Sequence, residues 1–175
     1  RGGVAMLLSR PLESFSIIPT GLTTTEQNSR IMAYSAGRDP NNNGGTLVAN
    51  LLNKTGYSDW ISYSNSTSPL YIIWDNYEPV QIDEFSFRNT NYDNNPNIPR
   101  VWDVIGTNEF DTSLYHANTT WDIIQSFTEG ETTTNTMSRW ATRSYTLDSR
   151  SGYYRYIGVR VKNNYNASTT SLTLT

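Results

Sequence analysis

Apolar residues recur along this chain in short runs, and in the clearest runs they alternate with polar residues. The segment 82–87 reads Ile-Asp-Glu-Phe-Ser-Phe, which places Phe85 and Phe87 on one face. A period of two residues is that of a β-strand with one buried face. Apolar residues never keep the spacing i, i+3, i+4, i+7 for eleven residues, so the pattern predicts strands and no long amphipathic helix.

A second alternating run covers 154–161. It predicts a strand whose two faces differ in burial. The buried face would carry Ile157, Val159 and Val161, and the opposite face Tyr154, Tyr156 and Gly158.

Similar β-branched and aromatic runs, bounded by Asn, Gly, Pro and Ser, predict nine strands. They cover 14–18, 30–34, 70–75, 81–89, 101–107, 122–127, 143–147, 154–161 and 171–174. Residues 47–53 have the spacing of a single helical turn. Many short strands separated by turn residues are typical of an all-β sandwich or barrel.

Length and composition narrow the classes of function. The chain has 175 residues, a net charge of −3, no cysteine and 17% charged residues. A domain of this size has a core large enough to fold without disulfides or a structural metal. Its few basic residues are scattered, whereas nucleic-acid binding rests on massed positive charge. No apolar run approaches the roughly 18 residues of a membrane span.

The residues give little support to catalysis. The only histidine is His116, and one histidine without a partner builds no catalytic triad. The carboxylates that a hydrolase would need lie on predicted strands, where we expect them to face solvent. These carboxylates are Asp75, Asp83, Glu84 and Asp103.

Five tryptophans could pack in a core or stack on a sugar. Trp140 is left open between the two roles, because it lies outside the segments that resemble a known family. In that family the positions of Trp60, Trp102 and Trp121 are usually part of the core, so core packing is what the resemblance implies for them. The predicted core comprises Trp60, Phe85, Phe87, Trp102, Val104, Trp121, Ile157 and Val159.

Six segments follow one another in the order of a known family. The most specific is 99–109 (Pro-Arg-Val-Trp-Asp-Val-Ile-Gly-Thr-Asn-Glu) followed by 121–124 (Trp-Asp-Ile-Ile). The others are 30–35, the pair 47–53 and 59–62, 69–75, 80–89 and 154–161. In this order they resemble the discoidin or coagulation-factor type C domain and the related galactose-binding carbohydrate-binding modules.

This resemblance implies an antiparallel jelly-roll β-sandwich over residues 24–175. Residues 1–23 would then be an N-terminal arm or a connection to a neighbouring segment. We expect the chain to be part of a longer polypeptide, or one of several identical copies, in which this arm packs on a neighbouring copy or an adjoining domain. The terminal disulfide of the family is missing, because the chain has no cysteine.

In the family that the chain resembles, ligands meet three loops at one end of the barrel. These loops correspond here to 35–45, 55–68 and 88–99, and the third is the best candidate. Galactose-binding members place an arginine where Arg88 lies. Candidate glycan ligands in this loop are Arg88, Tyr92, Asp93, Asn94 and Asn95, and those in the first loop are Arg38, Asp39 and Asn42. The alternative is that these Asn-rich segments serve only as turns.

The resemblance also implies a possible calcium site, at the turn 52–56. Lys54 stands there where a carboxylate would be expected, and calcium prefers carboxylate oxygens, so we expect no cofactor. The lipid-binding members carry apolar loop tips, whereas the tips here are rich in Asn and Asp. We therefore expect no membrane insertion.

The sequence thus predicts a non-catalytic adhesion or carbohydrate-binding module of a larger cell-surface or virion-surface protein. Its setting would be extracellular or on a virion, since similar sequences decorate bacteriophage tail fibres. Its partners would be a glycan or receptor and other copies or domains. The alternative is a structural appendage that assembles without any small ligand.

Overall fold

The computed structural model describes residues 31–36, 60–61, 67–89, 93–94, 96–110, 119–130, 136–165 and 173–174. This part of the chain contains nine strands and no helix. They are β1 (Ile31–Ala36), β2 (Trp60–Ile61), β3 (Thr67–Val80), β4 (Glu84–Arg88), β5 (Pro99–Thr107), β6 (Asp122–Thr128), β7 (Thr142–Thr146), β8 (Tyr154–Asn164) and β9 (Thr173–Leu174).

The strands form three antiparallel groups. The largest is a five-stranded sheet in the order β1-β3-β8-β5-β6, and β4 pairs with β7 and β2 with β9. Every pairing is antiparallel. The predicted all-β antiparallel sandwich is therefore confirmed.

Eight of the nine predicted strands coincide with observed ones, and the ninth, 14–18, lies outside the described residues. The predicted helical turn at 47–53 and the arm 1–23 also lie outside them. β2 was not predicted, because two residues are too few to show a period. β3 is longer than predicted and continues past Asp75 to Val80.

The main core lies between the β4–β7 pair and the five-stranded sheet. Trp102 is 1% exposed, stacks on Phe127 at 5.4 Å between ring centroids, and meets Phe87 and Tyr145 edge-on. These contacts hold the two layers together, since offset and edge-to-face aromatic pairs add to area burial.

The predicted core is largely confirmed. Phe85 and Phe87 do share the inner face of β4, with Phe85 only half-buried. Trp121 is half-buried, and the side chain of Trp60 lies outside the described residues. The buried members are Phe87, Trp102, Val104, Ile157 and Val159.

A second apolar cluster covers the other face of the five-stranded sheet. Its buried members are Tyr71, Ile73, Ile105 and Tyr156. The expectation that Tyr154 and Tyr156 share one less buried face of β8 was wrong. Tyr156 is 7% exposed in this second cluster, whereas Tyr154 packs against the main core. The strands at the centre of this sheet carry apolar residues on both faces, so alternation does not identify one exposed side.

Two carboxylates that were expected to face solvent are buried. Asp103 is fully buried and Asp75 is 7% exposed, whereas Asp83 and Glu84 are exposed as predicted. The difference lies in their ion-pair partners on β8. Asp103 lies opposite Arg160, and the carboxylate of Asp75 accepts hydrogen bonds from Arg155. Buried carboxylates are tolerated when they are paired with such groups.

The strand register defines the two ends of the sandwich. Ala36 pairs with Thr67, and Pro99 with Asn164, so the loop after β1, the loop before β3 and the loop before β5 all open at one end. We call this the loop end. The other end, where β3 leaves Asp75 and β8 begins at Tyr154, is called the far end. The described strand ends that border the three loops implicated by the family resemblance therefore lie at one end of the sandwich.

Candidate functional site

The candidate site lies at the loop end, where β4 finishes and β7 begins. Arg88, the last residue of β4, pairs with Thr142, the first of β7. The loop that follows β4 and the segment 137–141 that precedes β7 therefore lie side by side. We call these two pieces of chain the paired loops.

Asn89 holds the paired loops together. Its side chain is fully buried, and its Nδ2 donates to the carbonyl oxygens of Met137 at 3.1 Å and Ser138 at 3.0 Å. Its backbone N–H donates to the Ala141 carbonyl at 2.8 Å. A side chain that satisfies two carbonyls of a neighbouring loop fixes the path of that loop, because buried carbonyls need partners.

Trp140 lies beside Arg88 in these loops. The Arg88 guanidinium lies 5.1 Å from the centroid of the indole ring, and its Nε donates to the Trp140 carbonyl at 3.1 Å. Trp140 is half-buried and has a φ of 58°, in the left-handed region that bulky residues seldom adopt. The strained backbone and the arginine together set the direction of the indole.

Asp93 and Asn94 also contact the second of the paired loops. Asp93 Oδ1 accepts from the Arg139 backbone N–H at 2.7 Å, and Asn94 donates its own N–H to the Met137 carbonyl at 2.9 Å. Asn94 has a φ of 56°, which asparagine tolerates better than most residues. Both side chains are exposed.

The structure thus brings together three of the predicted ligand residues: Arg88, Asp93 and Asn94. The other candidates lie outside the described residues, so their roles stay predictions. They are Tyr92, Asn95, Arg38, Asp39 and Asn42. The calcium turn at 52–56 also lies outside the described residues, which contain no group of three His, Asp or Glu side chains that could hold a metal ion.

Sequence reasoning missed two contributors, Asn89 and Arg139, and left Trp140 undecided. In the sequence Asn89 looks like an ordinary turn residue. Only its burial in the structure shows that it holds the paired loops together. The one signal for Trp140 was a tryptophan in a polar segment outside the matched motifs. Its neighbour, Arg88, is 52 positions away in sequence.

An ion pair supports the inner side of β7 beneath the site. Arg143 Nη1 lies 2.7 Å from Glu129 Oε2. Burial alone would lower the pKa of Arg143, but the Glu129 carboxylate together with the hydroxyls of Tyr145 and Tyr165 outweighs burial and raises that pKa. Burial and the same carboxylate raise the pKa of Tyr145, so its phenol stays neutral. The start of β7 is therefore anchored by a stable charge pair.

Taken together, the described side chains at the loop end offer an aromatic ring, a fixed guanidinium, a carboxylate and an amide. Such a set can stack on an apolar surface and exchange hydrogen bonds with hydroxyls in defined directions. It is suited to recognition of a polar, ring-shaped ligand.

No protein-family model and no curated protein sequence matches the chain. Several solved structures do match it. One is a family 32 carbohydrate-binding module of Clostridium perfringens NanJ in complex with galactose, at 10% identity and a TM-score of 0.57, covering 85% of this chain and 91% of that one. Another, from the same organism, is in complex with GalNAc-β-1,3-galactose, at 9% identity and a TM-score of 0.55, covering 85% of this chain and 93% of that one.

A third is chitosan-binding module 2, in complex with chitotriose, derived from a Paenibacillus chitosanase/glucanase. It is 14% identical with a TM-score of 0.54, and the match covers 82% of this chain and 89% of that one. At such identities the likeness concerns the fold. The chain has the galactose-binding-like sandwich fold of these modules, as the resemblance to discoidin-type domains implied.

Proposed function

We propose that this chain is a non-catalytic carbohydrate-binding module whose glycan site is formed by Arg88, Trp140, Asp93 and Asn94 at the loop end. The observation that carries the proposal is the Arg88–Trp140 pair, in which the guanidinium lies over the indole and donates a hydrogen bond to the Trp140 backbone carbonyl. The similar structures with bound sugars support the ligand class, since they share the fold.

The chemistry of the pair suits a pyranose. A sugar ring has an apolar face and a rim of hydroxyls, so it needs one flat apolar surface and several directed polar groups. Arg88 covers one part of the indole, and the exposed remainder of the ring would stack on the sugar. The second oxygen of the Asp93 carboxylate and the amide of Asn94 would bond the hydroxyls, because Asp93 Oδ1 is already held by Arg139.

The backbone of Trp140 supports a functional role for its side chain. A left-handed φ at a bulky residue costs on the order of 1–3 kcal/mol, and glycine would avoid this cost. Asn89 and Arg88 hold the segment in this conformation. Strain that the surroundings maintain around an accessible aromatic ring is typical of binding sites.

The proposed setting is a longer extracellular or virion-surface protein in which this module provides adhesion. The second candidate is a structural domain that assembles with other copies and binds no sugar. The Arg88–Trp140 pair favours the first, because a purely structural surface has no need of a strained tryptophan.

A glycan array on wild-type protein tests the proposal. Arg88→Ala should weaken binding of the best glycan by about 1.5–3 kcal/mol, the range for losing hydrogen bonds to a charged group. Trp140→Gly should weaken it as well without loss of fold. Arg150→Ala is a matched control, since Arg150 is an exposed arginine remote from the paired loops.

Two results would contradict the proposal. An array on which the wild type binds no glycan would favour the structural domain. Binding that survives Arg88→Ala and Trp140→Gly combined would place the site elsewhere on the protein.

A further inference from the structure

The exposed large apolar side chains of the described residues all lie at the far end. They are Tyr77, 47% exposed, Ile123, 54% exposed, and Tyr153, 64% exposed. Ile123 pairs with Ile105 near the start of β6, and Tyr77 and Tyr153 flank the last pairs of β3 with β8. The loop end carries none of them, so the far end has an aromatic surface that the proposed glycan site does not use.

Tyr77 projects from a break in the register of β3. Asp75 pairs with Tyr156 and Val80 pairs with Tyr154, so four residues of β3 lie opposite a single residue of β8. Within this bulge, residues 77–79 are exposed and Tyr77 has a φ of 62°. Bulges of this kind redirect side chains and often lie next to functional sites.

Asp75 and Arg155 hold the bulge in place. Asp75 Oδ1 accepts from the Tyr77 backbone N–H at 2.7 Å, which stabilises the left-handed residue. Arg155 donates to the same carboxylate from Nε and Nη2, each at 2.9 Å. Asn76 Nδ2 donates back to the Arg155 carbonyl at 3.0 Å. Four hydrogen bonds therefore hold the bulge that carries Tyr77.

Tyr153 is joined to the same network through Asn108. Asn108 Nδ2 donates to the Tyr153 carbonyl at 3.0 Å, and Asn108 Oδ1 accepts from the Arg155 N–H at 2.8 Å. Tyr77, through Asp75, and Tyr153, through Asn108, are thus both linked to Arg155 by hydrogen bonds. We call Tyr77, Tyr153 and Arg155 the far-end platform.

The electrostatics of the far-end platform favour an uncharged ligand. The Arg155 side chain is 40% exposed and lies over the Tyr156 ring at 4.9 Å, but its charge is matched by Asp75. Its two bonds to Asp75 use Nε and Nη2, so Nη1 remains as a directed donor with no partner among the described residues. A guanidinium whose charge is balanced by a carboxylate can donate to a hydroxyl without attracting anions.

We propose that the far-end platform is a second binding site for neutral sugars, in which Tyr77 and Tyr153 stack on pyranose rings and Arg155 Nη1 donates to a hydroxyl. As at the loop end, an arginine and an aromatic residue in a left-handed conformation belong to one hydrogen-bonded arrangement, here joined through Asp75. The choice of a sugar as ligand rests on the proposed function, whereas the far-end platform itself is independent of the loop end.

A protein partner fits this surface less well. A whole aromatic side chain buries about 150–250 Å², so two half-exposed tyrosines present roughly 200 Å² of ring surface. A stable interface needs about 800 Å² from each partner. The small area of the two tyrosine rings, with Arg155 and Asn108 beside them, is better suited to a sugar than to the apolar core of a protein interface.

The two sites would engage separate glycan chains. Tyr156, near the far-end platform, and Asn164, at the loop end, lie eight positions apart along β8. At about 3.3 Å per residue they span about 26 Å. A module with two sites so far apart would cross-link a multivalent glycan and gain avidity on a dense glycan surface.

Titrations with galactose and with chitotriose, monitored by amide NMR chemical shifts, distinguish binding at the far end from binding at the loop end. The expected result is saturable shifts at Tyr77, Asn108 and Tyr153 that do not depend on Trp140. Tyr77→Gly should weaken this binding by about tenfold or more, equivalent to at least about 1.4 kcal/mol. The Tm of the Tyr77→Gly variant should not fall, because glycine relieves the left-handed backbone strain at this position. Tyr77→Phe keeps the ring and should retain binding.

The outcomes distinguish this inference from the proposed function. Shifts only around Trp140 would overturn the far-end site and leave the proposed function intact. Shifts only around Tyr77 would support the far-end site and contradict the loop-end site. Absence of far-end shifts with both sugars, together with self-association that Tyr77→Gly abolishes, would overturn the sugar site in favour of an interface between copies.

Discussion

The Arg88 guanidinium lies 5.1 Å from the centroid of the Trp140 ring while its Nε donates to the carbonyl of the same residue at 3.1 Å. One arginine therefore restrains both the ring and the backbone of the tryptophan. The planar fork of arginine can make both contacts at once, and lysine cannot. This double contact makes the identity of residue 88 important for ligand binding and for the position of the loop.

Arg88→Lys should consequently resemble Arg88→Ala more than wild type. Lysine keeps the positive charge but loses the flat face and the Nε–H, so we expect each variant to lose about 1 kcal/mol of stability, the usual net contribution of one hydrogen bond. Urea denaturation measures the stability, and the NMR signal of the Trp140 indole N–H reports its environment. A lysine variant indistinguishable from wild type would show that charge alone is required.

Asn89 provides a test of how the paired loops are held. Asn89→Ala leaves the Met137 and Ser138 carbonyls without this donor and should cost about 1–3 kcal/mol. Asn89→Asp is nearly the same size, yet it should cost more, because an ionised carboxylate only accepts and would face two carbonyl oxygens.

The measurement for Asn89 is thermal unfolding at neutral and at acid pH. The aspartate variant should recover part of its stability at low pH, where its carboxyl is protonated and can donate. Equal losses for the two variants at every pH would contradict this account of Asn89.

Acid should weaken the fold through Asp103. Burial tends to raise the pKa of this carboxyl, but hydrogen bonds from Lys162, Ser126 and Arg160 together hold it below its usual value. Lys162 Nζ and Ser126 Oγ each lie 2.7 Å from Oδ1. The folded pKa is thus below the unfolded value of about 3.9, so the stabilisation is complete above that pH and is lost as pH falls through the folded pKa.

Asp103→Asn should remove this part of the acid sensitivity and destabilise the protein at neutral pH. Breaking a buried ion pair costs about 3–5 kcal/mol, and the partial exposure of Arg160 and Lys162 points to the lower figure. Asp83→Asn is the matched control, because Asp83 is exposed and 3.5 Å from Arg150. Urea midpoints at pH 7 and pH 3 measure both effects, and identical behaviour of the two variants would contradict the role of Asp103.

Trp102→Ala should cost about 3–5 kcal/mol, the range for emptying a large aromatic from a core. Phe127→Ala should cost less, since Phe127 is only half-buried. A double-mutant cycle between the two should show a coupling of about 0.5–1.5 kcal/mol from their stacked rings. Guanidinium unfolding gives all four free energies, and a coupling near zero would mean that the rings contribute by burial alone.

Gly158→Ala should be strongly destabilising because a Cβ at this position of β8 would collide with the Ile72 carbonyl oxygen of the neighbouring strand. The obstacle is backbone and cannot rotate away, so the cost should be about 3 kcal/mol, at the upper end of overpacking. Gly152→Ala is the control, since its Cβ would meet only the outer part of the Tyr154 ring at 3.3 Å. Similar Tm values for the two variants would contradict this reading of Gly158.

Local pattern was sufficient for most of the fold. Alternation such as that around Phe85 and Phe87 requires only neighbouring residues and the period of a strand, so strand positions could be predicted. Trp102 and Val104 could be placed in the core for the same reason. Arg88 could be predicted as a ligand-binding residue because the family resemblance places an arginine at the end of this strand.

Features that depend on contacts between residues distant in sequence could be seen only in the tertiary structure. Asp75 and Asp103 are buried because β8 brings Arg155, Arg160 and Lys162 opposite them, and no local pattern contains that pairing. Trp140 joins Arg88 because β7 pairs with β4, and Tyr77 is exposed because the register of β3 breaks after Asp75. The sequence by itself thus determined most of the strands and three polar residues of the candidate site, Arg88, Asp93 and Asn94. Pairing between strands, set by long-range hydrogen bonds and packing, decided which aromatic and charged groups meet there.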